Sequence, residues 1–423
     1  MKVLVIGSGG REHALVWKLR QSLRVSQLYC APGNGGIAAD ARCVPADVRN
    51  IESLLAVADQ IQPDLTVVGP ELPLTLGVVD EFTRRGLKIF GPTQAAARLE
   101  SSKSFAKQFM QRCNIPTAHY AICKSLEEFR DALPHFHMPV VLKADGLAAG
   151  KGVVICRNKD EATAVATEML SGKMLGNAGL CVVVEECLKG EEISFLVLSD
   201  GERVVPLAAA QDYKRVGDGD TGPNTGGMGA FSTRSMLDAQ MQHWLLQHIA
   251  RPVIAGMKAE GAEYRGVLYC GLMMTARGPM VLEFNCRFGD PETQAILMRL
   301  ESDLLEALEA TIEGRVSDGD FRWSPDATVC VAMASGGYPG TFEAGKKIVG
   351  LDEAGKLEGI EVFHAGTTAR DNAYFTAGGR VLGVTARASD LNTAVDRAYA
   401  AVAKIGFEGA HYRKDIAARA LKR

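Results

Sequence analysis

A short polar pattern around residue 283 carries the side chains with the clearest capacity for chemistry. The segment VLEFNCRFGDPE has the apolar beginning of a β-strand. Because side chains alternate along a strand, Leu282 and Phe284 are predicted to face a core, and Glu283, Asn285 and Arg287 the opposite side. Carboxylate and amide oxygens two residues apart suit Mg²⁺ bound to phosphates, and an arginine on the same line suits a carboxylate or phosphate.

A second pattern, VVLKADGLAAGKGVVI, places two lysines around a loop of small residues. The P-loop pattern G-x-x-x-x-G-K-[ST] fails here, since Asp145 occupies the first glycine position and Gly152 the Ser/Thr position. The flanking apolar runs predict strand–loop–strand. Such a hairpin can close over a triphosphate as a lid, with Lys143 and Lys151 neutralising phosphate charge; a purely structural hairpin is the alternative.

An acidic strand end follows in the segment VVVEECLKGEEIS. The pattern suits a hinge that contacts adenine, with backbone groups near Glu186 and Leu188 at the base edge and Glu191 accepting the ribose hydroxyls. An acidic turn in solvent explains the segment equally well when it is considered by itself.

The N-terminal segment GSGGREHA follows an apolar strand and opens a helix, as a dinucleotide site would. Gly7 and Gly9 fit G-x-G-x-x-G, but Glu12 replaces the third glycine, and the acid expected after the second strand is missing. These departures argue against an NAD(P)-linked oxidoreductase. Free backbone N–H groups at the helix start, with Arg11 beside them, would still suit a phosphate; a tight turn without a ligand is the alternative.

Two further loops, APGNGG and VGPELPLTLG, are predicted to end strands of the same sheet. Ligands of open α/β sheets bind beyond the carboxyl ends of the strands, so these loops should converge there. Amide donors would suit a phosphate, and Asn34 or Glu71 would suit hydroxyls or an amine. A phosphorylated sugar fits this combination.

The pattern of strands and helices predicts how these segments are positioned. Residues 1–100 alternate strands with helices, which predicts a doubly wound parallel sheet. Residues 117–190 combine partly adjacent strands with a helix, and from residue 191 strands joined by hairpins predict an antiparallel sheet. An α+β domain is expected from about residue 326. The fold class is therefore a multidomain combination of α/β and α+β.

Composition excludes several broad classes of protein. A chain of 423 residues is too long for one core, and its net charge of −3 gives no general attraction to nucleic acid or membrane. No apolar window has the length of a membrane span, and the N-terminus has no signal-peptide pattern. The ten cysteines lack metal-site spacing and are predicted to be buried free thiols. A cytoplasmic location is expected.

At these residues the chain resembles the ATP-grasp superfamily and, within it, the glycinamide ribonucleotide synthetase family. The matching segments are GSGGREHAL, APGNGG, VVGPELPL, KADGLAAGKGV, VEECLKGEEIS, QDYKR, GPNTGGMGA and LEFNCRFGDPETQ. The resemblance implies four parts, namely an N-terminal preATP-grasp domain on the phosphoribosylamine side (1–102), a large antiparallel ATP-grasp subdomain (103–120 and 190–325), a lid subdomain (121–189) and a C-terminal domain (326–423).

The resemblance also implies a reaction. ATP would drive the ligation of glycine to 5-phosphoribosylamine in de novo purine biosynthesis, giving glycinamide ribonucleotide, ADP and phosphate through a glycyl phosphate. ATP would be a co-substrate and Mg²⁺ or Mn²⁺ the cofactor. The expected partners are these small molecules and neighbouring purine-pathway enzymes, with no nucleic acid or membrane. An acyl phosphate needs alignment and charge neutralisation rather than a protein nucleophile.

Motif positions imply roles for individual residues. The implied nucleotide contacts are Lys103, Lys143, Gly150, Lys151, Gly152, Glu185, Glu186, Leu188, Glu191 and Lys214. The implied substrate contacts are Gly10, Arg11, Asn34, Gly35, Glu71, Asp212, Asn224, Thr225, Gly226, Gly227, Met228, Arg287 and Asp290. Catalytic roles are implied for Arg287, Lys151 and Asp212, and metal binding for Glu283 and Asn285. Because VLYCGLMMT lacks the additional acidic ligand of many ATP-grasp enzymes, phosphates and water would complete the metal site.

Three other functions remain to be weighed against this one. Another ATP-grasp ligase or carboxylase would use a different acceptor, against which NTGGMG and FNCRFGDPE argue. An NAD(P)-linked oxidoreductase needs the intact glycine fingerprint. A non-enzymatic ATP sensor would not need Glu283, Asn285 and Arg287 on one face.

Overall fold

The structure is a computed structural model that describes residues 1–147, 152–172 and 179–422. Two residues with predicted roles, Gly150 and Lys151, lie outside the described residues. No helix within these ranges combines the length and apolar character that a bilayer crossing requires. All ten cysteines are free thiols as predicted, but Cys43, Cys113, Cys181 and Cys187 are only partly buried.

The N-terminal region contains the predicted parallel sheet, in the strand order β3-β2-β1-β4-β5. Its central strand is a continuous apolar run because helices cover both faces, and Val3–Ile6 are fully buried. The strands are β1 (Lys2–Gly7), β2 (Gln27–Pro32), β3 (Arg42–Cys43), β4 (Leu65–Val68) and β5 (Ile89–Phe90). The helices are α1 (Gly10–Leu19), α2 (Ile37–Asp40), α3 (Ile51–Ile61), α4 (Glu71–Leu76), α5 (Val78–Arg84) and α6 (Arg98–Ser101).

A helix and a small antiparallel sheet follow. Helix α7 (Lys103–Arg112) begins after Ser102, whose hydroxyl accepts a hydrogen bond from the Phe105 N–H. The sheet has the order β6-β9-β7-β8 and a core drawn only from residues between 123 and 184, so it packs as a separate unit. Its elements are β6 (Tyr120–Cys123), α8 (Leu126–Ala132), β7 (Val140–Ala144), β8 (Val153–Cys156), α9 (Lys159–Leu170) and β9 (Val182–Glu186).

The central region contains the predicted larger antiparallel sheet, ordered β11-β10-β16-β17. Its core is continuous with that of the N-terminal sheet, since Phe195 and Leu268 belong to the same cluster as Ile6 and Phe82. The strands are β10 (Glu191–Asp200), β11 (Val204–Pro206), β12 (Gln211–Asp212), β13 (Arg215–Gly217), β14 (Thr221–Asn224), β15 (Gly229–Ser232), β16 (Arg265–Thr275) and β17 (Gly278–Asn285). The helices are α10 (Ala239–Leu245), α11 (Arg251–Ala259), α12 (Glu292–Arg299) and α13 (Leu304–Ile312).

The C-terminal region is α+β, as predicted. Its main sheet has the order β12-β15-β18-β23-β20, so it takes two strands from the segment that leaves the central sheet. A three-stranded sheet, β19-β22-β21, lies beside it. The elements are β18 (Ala327–Ala334), β19 (Lys347–Ile348), α14 (Leu351–Gly355), β20 (Ile360–His364), β21 (Thr367–Arg370), β22 (Ala373–Thr376), β23 (Arg380–Ala388) and α15 (Leu391–Val402).

A bulge in β17 corrects one sequence prediction. Gly271 pairs with Glu283, whereas Leu272 pairs with Val281, so Leu282 is an extra residue in the ladder. The strict alternation of side chains between the two faces of the sheet therefore stops at this bulge. Val281 is fully buried in the core, and Leu282, which was predicted to face the core, is only partly buried.

Candidate active site

One cavity of about 900 Å³ brings together most of the predicted site residues. It lies between the small β6–β9 sheet and the central sheet, and loops of the N-terminal and C-terminal regions complete its walls. The predicted residues that line it are Arg11, Glu71, Lys103, Lys143, Gly152, Glu185, Glu186, Leu188, Asp212, Lys214, Asn224, Thr225, Gly226, Glu283, Asn285, Arg287 and Asp290. The predicted residues Gly10, Asn34, Gly35, Glu191, Gly227 and Met228 do not line it.

Asn34 connects loops instead of facing the cavity. Its amide nitrogen donates to the backbone carbonyls of Ser8 and His364, both at 2.8 Å, and its oxygen accepts from two backbone N–H groups. Gly35 packs so closely on the backbone of Thr368 that a Cβ would clash. A Cβ on Gly10 would likewise meet the Gln294 side chain. These residues hold the N-terminal loops against neighbouring regions.

Glu191, the carboxylate predicted at the ribose position, does not line this cavity. Glu191 faces a different cavity, where Gln211 Nε2 lies 3.3 Å from its Oε1. Side chains alternate along β10, so Glu192 lines the main cavity. There, Glu192 Oε2 lies 3.3 Å from Lys214 Nζ. The predicted residue and its neighbour in the chain therefore line different cavities.

Gly227 and Met228 support the cavity wall from behind. Met228 is fully buried, and its N–H donates to the Tyr213 carbonyl at 2.8 Å. Gly227 has a φ of +115°, and a Cβ there would lie 2.4 Å from Pro291 Cδ. Only glycine fits this position without strain. Both residues shape the loop that presents Asn224, Thr225 and Gly226 to the cavity.

A buried ion-pair network holds Lys143. Its Nζ donates to the Leu282 carbonyl at 2.9 Å and lies 3.0 Å from Glu185 Oε1. The other oxygen of Glu185 lies 2.8 Å from Lys107 Nζ, which also donates to Thr117 at 2.7 Å. Two lysine side chains thus share one carboxylate, and Lys143 also lines the cavity. No sequence pattern marks Lys107 as a site residue, because its helical spacing is that of an ordinary surface lysine.

We expect Lys107 to make stability pH-dependent. Burial lowers its pKa from 10.5 to about 8, although the charge of Glu185 opposes the shift. Relative to a Lys107→Met variant, the wild type should therefore gain free energy of unfolding as the pH rises from about 8 to about 10.5, and lose that gain as the pH falls through 8. Urea unfolding at pH 8 and pH 10 measures this, with the exposed Lys124→Met as control. Identical pH dependence in wild type and Lys107→Met would contradict the assignment.

Glu283 is surrounded by positive charge. Burial tends to raise its pKa, but Lys214, Lys143 and Lys103 outweigh burial and lower it to about 2. Lys214 Nζ lies 3.4 Å from Glu283 Oε1, and Lys103 Nζ donates to the Gly146 carbonyl at 2.9 Å. The carboxylate therefore stays ionised amid a group of cations that suits a polyphosphate.

The donor atoms at Glu283 fit a small hard cation. Asn285 Oδ1 accepts from Arg287 Nη2 at 3.2 Å and supplies a second oxygen close by. Gly271, which has no side chain to offer as a ligand, stands opposite Glu283 in the ladder. Within the described part of the chain, no three His, Cys, Asp or Glu side chains converge as metal ligands. Phosphate oxygens and water would have to complete the coordination shell.

Arg287 lies between two carboxylates. Its Nη2 is 3.0 Å from Glu100 Oε1, and its Nε is 3.4 Å from Glu71 Oε2. Burial works against its charge, but Glu100 and Glu71 outweigh burial, so the pKa of Arg287 is raised. Burial also raises the pKa of Glu100, even though that carboxylate accepts a 2.6 Å hydrogen bond from the Cys286 N–H. No local pattern marks Glu100, because its contact with the Cys286 N–H spans 186 residues of sequence.

Arg380 is another residue of the cavity wall that no sequence pattern revealed. It begins β23, and its guanidinium donates to the carbonyls of Gly226 at 2.8 Å and Asp290 at 2.7 Å. It also pairs with Asp290 Oδ2 at 3.0 Å. A C-terminal residue thus fixes two loops of the cavity wall. An arginine that begins a strand in the sequence GGRVLGV carries no recognisable site pattern.

The N-terminal turn is filled by its own glutamate. Glu12 Oε2 accepts from the Gly9 N–H at 2.5 Å, so the prediction of free N–H groups is wrong for Gly9. The same side chain lies where a Cβ on Gly7 or Gly69 would sit. The Gly9 N–H is therefore already engaged within the chain, which agrees with the departure from the glycine fingerprint.

Comparison with protein families matches the chain along most of its length. The N domain of phosphoribosylglycinamide synthetase matches residues 1–100, its ATP-grasp (A) domain residues 101–293, and its C domain residues 328–419. A phosphoribosylamine–glycine ligase of Pseudomonas aeruginosa is 50% identical and aligns with 100% of this chain and 99% of its own. One from Caldanaerobacter subterraneus is 49% identical, over 99% of this chain and 100% of its own.

Solved structures agree with this match. The phosphoribosylamine–glycine ligase of Thermotoga maritima is similar with a TM-score of 0.86 and 33% identity, over 98% of this chain and 100% of that one. A Campylobacter jejuni biotin carboxylase shares the fold alone, with a TM-score of 0.74 and 17% identity over 100% and 95% of the chains. The fold and cavity define an ATP-grasp enzyme. Within that class, the chain belongs to the phosphoribosylglycinamide synthetase family.

Proposed function

We propose that the chain is an ATP-dependent ligase that joins glycine to 5-phosphoribosylamine in purine biosynthesis, forming glycinamide ribonucleotide, ADP and phosphate. One observation carries the proposal best: Glu283, with its pKa lowered to about 2, lies among Lys103, Lys143 and Lys214 in a single cavity. The family and the full-length relatives support the same reaction. The cytoplasmic location and pathway enzymes as partners remain predictions.

In this proposal ATP binds at the lysine-rich end of the cavity. Its base would lie among Ile155, Leu188 and Met273, with the backbone of the hinge near Glu186 at its edge. Its phosphates would lie near Lys103, Lys143 and Lys214. Gly152 follows the predicted lid loop, of which Gly150 and Lys151 lie outside the described residues. The ribose would lie near Glu192.

This proposed position of ATP can be tested with two adjacent glutamates of β10, Glu191 and Glu192. The Glu192→Gln variant should raise the KM for ATP roughly tenfold, because a hydrogen bond to a charged acceptor is worth about 1.5–3 kcal/mol. Glu191→Gln should leave the KM for ATP within about twofold, because Glu191 faces a different cavity. Steady-state kinetics at saturating glycine measures both values. A larger effect at Glu191 than at Glu192 would reverse the assignment.

A divalent cation fits Glu283 and Asn285, completed by phosphate and water. When bound, it would neutralise charge on the β- and γ-phosphates of ATP. Titration of the activity with Mg²⁺ and with Mn²⁺ compares the two expected cofactors. Lys103, Lys143 and Lys214 would contact the triphosphate directly. Arg287 lies beside Asn285, one of the proposed metal ligands, where a carboxylate or phosphate would approach.

The chemistry needs no protein nucleophile. A glycine carboxylate oxygen attacks the γ-phosphorus, the bond to the bridging oxygen of ADP breaks, and glycyl phosphate forms. The amine of phosphoribosylamine then attacks the glycyl carbon, releases phosphate and loses a proton. Arg287 is the proposed catalytic cation for these anionic groups, and a closed cavity would keep water from the acyl phosphate.

Oxygen labelling tests the glycyl phosphate directly. With glycine whose carboxylate carries ¹⁸O, the released phosphate should contain one ¹⁸O atom, because that oxygen bridged the acyl group and phosphorus. The control is unlabelled glycine in ¹⁸O-water, which should give unlabelled phosphate. The reversed pattern would mean that water attacks ATP, and the acyl phosphate route would be wrong.

A further inference from the structure

The hairpin β13–β14 stands apart from the larger sheets of the central region. It forms a two-stranded sheet of its own, in which Arg215 pairs with Asn224 and Gly217 with Thr221, with an irregularity between the two pairs. Asp220 at its tip has a φ of +57°, a backbone conformation that residues other than glycine rarely adopt. A two-stranded hairpin is marginally stable by itself in water, so contacts from elsewhere in the chain must hold this one.

The base of this hairpin forms part of the cavity wall. Lys214 precedes β13 and Thr225 follows β14, and both line the cavity. The N–H and the hydroxyl of Thr225 donate to the Lys214 carbonyl at 2.7 and 2.9 Å. On the cavity side, Lys214 Nζ lies 3.3 Å from Glu192 Oε2 and 3.4 Å from Glu283 Oε1. A tilt of the hairpin would therefore move the Lys214 backbone, and its ammonium group with it.

Arg413, close to the C-terminus, holds the hairpin at several points. Its side chain is fully buried, and its Nε and Nη2 donate to the two oxygens of Asp415, both at 2.7 Å. Its Nη1 donates to Asp220 Oδ1 at 2.8 Å and to the Arg215 carbonyl at 3.1 Å. Asp415 in turn accepts from the Gly219 N–H at 2.9 Å. One guanidinium thus connects the first strand and the tip of the hairpin to the C-terminal segment, residues 411–419.

Other residues of the C-terminal segment contact the same hairpin. The Lys414 N–H donates to Asp218 Oδ1 at 2.8 Å, and His411 Nε2 lies 2.9 Å from the Val216 carbonyl oxygen. Arg413 itself does not line the cavity. A buried guanidinium is costly unless it is paired, but its planar fork of donors fixes the direction of each contact. These contacts therefore suit the precise placement of the hairpin.

We propose that Arg413 is a positioning residue for the nucleotide end of the cavity. By holding the hairpin β13–β14, it keeps the Lys214 ammonium beside Glu283, where the triphosphate of ATP binds. This inference rests on the proposed function, which assigns the triphosphate to Lys103, Lys143 and Lys214. Without Arg413, Lys214 would sample more positions in the free protein, and ordering it on binding would weaken the affinity for ATP.

A double-mutant cycle tests whether Arg413 acts through Lys214. Arg413→Met should raise the Kd for ATP in the presence of Mg²⁺ roughly 5- to 10-fold, because residues in one network are coupled. In a Lys214→Met background the same change should alter that Kd by less than about twofold, since the cation that Arg413 positions is already gone. Arg413→Lys should restore part of the affinity, because an ammonium keeps the charge without the fork. Isothermal titration calorimetry measures each Kd without requiring catalysis.

Asp220→Asn provides a second variant that breaks the same link if Arg413→Met does not fold. Asp220 is exposed, and asparagine keeps its shape and tolerates its positive φ, but it lacks the charge that faces Arg413. The Kd for ATP should again rise in the wild-type background and stay nearly constant in the Lys214→Met background. Thermal unfolding reports whether each variant is folded.

The matched control is Arg397→Met, which removes an ion pair with Glu358 in the same C-terminal region and should leave the Kd for ATP unchanged. An unchanged Kd in the folded Arg413 and Asp220 variants, or an equal rise in the Lys214→Met background, would overturn the positioning role. Normal ATP affinity in Lys214→Met would overturn it together with the proposed position of the triphosphate. If the Kd values are as expected but the wild type releases no phosphate with glycine and 5-phosphoribosylamine, the proposed ligase reaction alone would be wrong.

Discussion

Replacing Glu283 by glutamine is expected to lower kcat/KM by about 10³-fold while the protein stays folded. The carboxylate is the proposed metal ligand and lies among three lysines, and loss of one preorganised electrostatic group at a reaction centre costs roughly 10²–10³-fold in rate, with metal affinity lost in addition. Coupled-enzyme kinetics at several Mg²⁺ concentrations provides the measurement. Excess Mg²⁺ should restore only part of the activity, since Asn285 supplies just one oxygen.

The matched control is Glu263→Gln, which removes an exposed carboxylate paired with Arg265 in the turn before β16. It should keep wild-type turnover. Because the pKa of Glu283 is lowered to about 2, its stabilising ion pairs are fully present above pH 4.5 and are lost as the pH falls through 2. The glutamine variant should lack this acid dependence. Normal turnover in Glu283→Gln would contradict the metal assignment.

Arg287→Met should cost both activity and stability. Glu100 is nearly fully buried, and removing one partner of a buried ion pair typically costs 3–5 kcal/mol because a charge is left unpaired. Catalysis should fall to background, since the proposed catalytic cation is gone. Arg287→Lys should recover part of the stability and little of the activity, because an ammonium lacks the planar fork that can contact both Glu100 and Glu71.

The pH dependence of stability shows why Arg287→Met should be destabilised. Burial raises the pKa of Glu100, and loss of Arg287 should raise it further. A raised carboxyl pKa gives stability that is present at low pH and is lost as the pH rises through the folded-state value. Denaturation of Arg287→Met should therefore approach that of wild type near pH 4.5 and differ most at pH 7. Equal destabilisation at both pH values would point to lost packing instead of an unpaired carboxylate.

Local sequence patterns predicted the layout of the sheets, and most of the residues that the family motifs implied line the cavity. Continuous apolar runs identified the buried parallel strands, and the polar positions 283, 285 and 287 do share the cavity. These predictions succeeded because each depends on residues close in sequence. The lysines at 143 and 214 were likewise found from motif segments, and both line the cavity.

The errors arose where a distant partner decides the geometry. The bulge at Leu282 depends on how β17 pairs with β16. It therefore cannot be predicted from the alternation of side chains along β17 alone. Glu191 and Glu192 are adjacent glutamates, and only the orientation of β10 decides which of them lines the main cavity. Glu100 and Arg380 reach the site across long separations in sequence, and no local period marks them.

The most direct measurement is phosphate release from ATP with Mg²⁺, adding glycine and freshly generated 5-phosphoribosylamine separately and together. We predict rapid release only when both are present, with one glycinamide ribonucleotide formed for each phosphate. Tight ATP binding without release in the presence of both substrates would contradict the account and direct attention to other carboxylate and amine pairs.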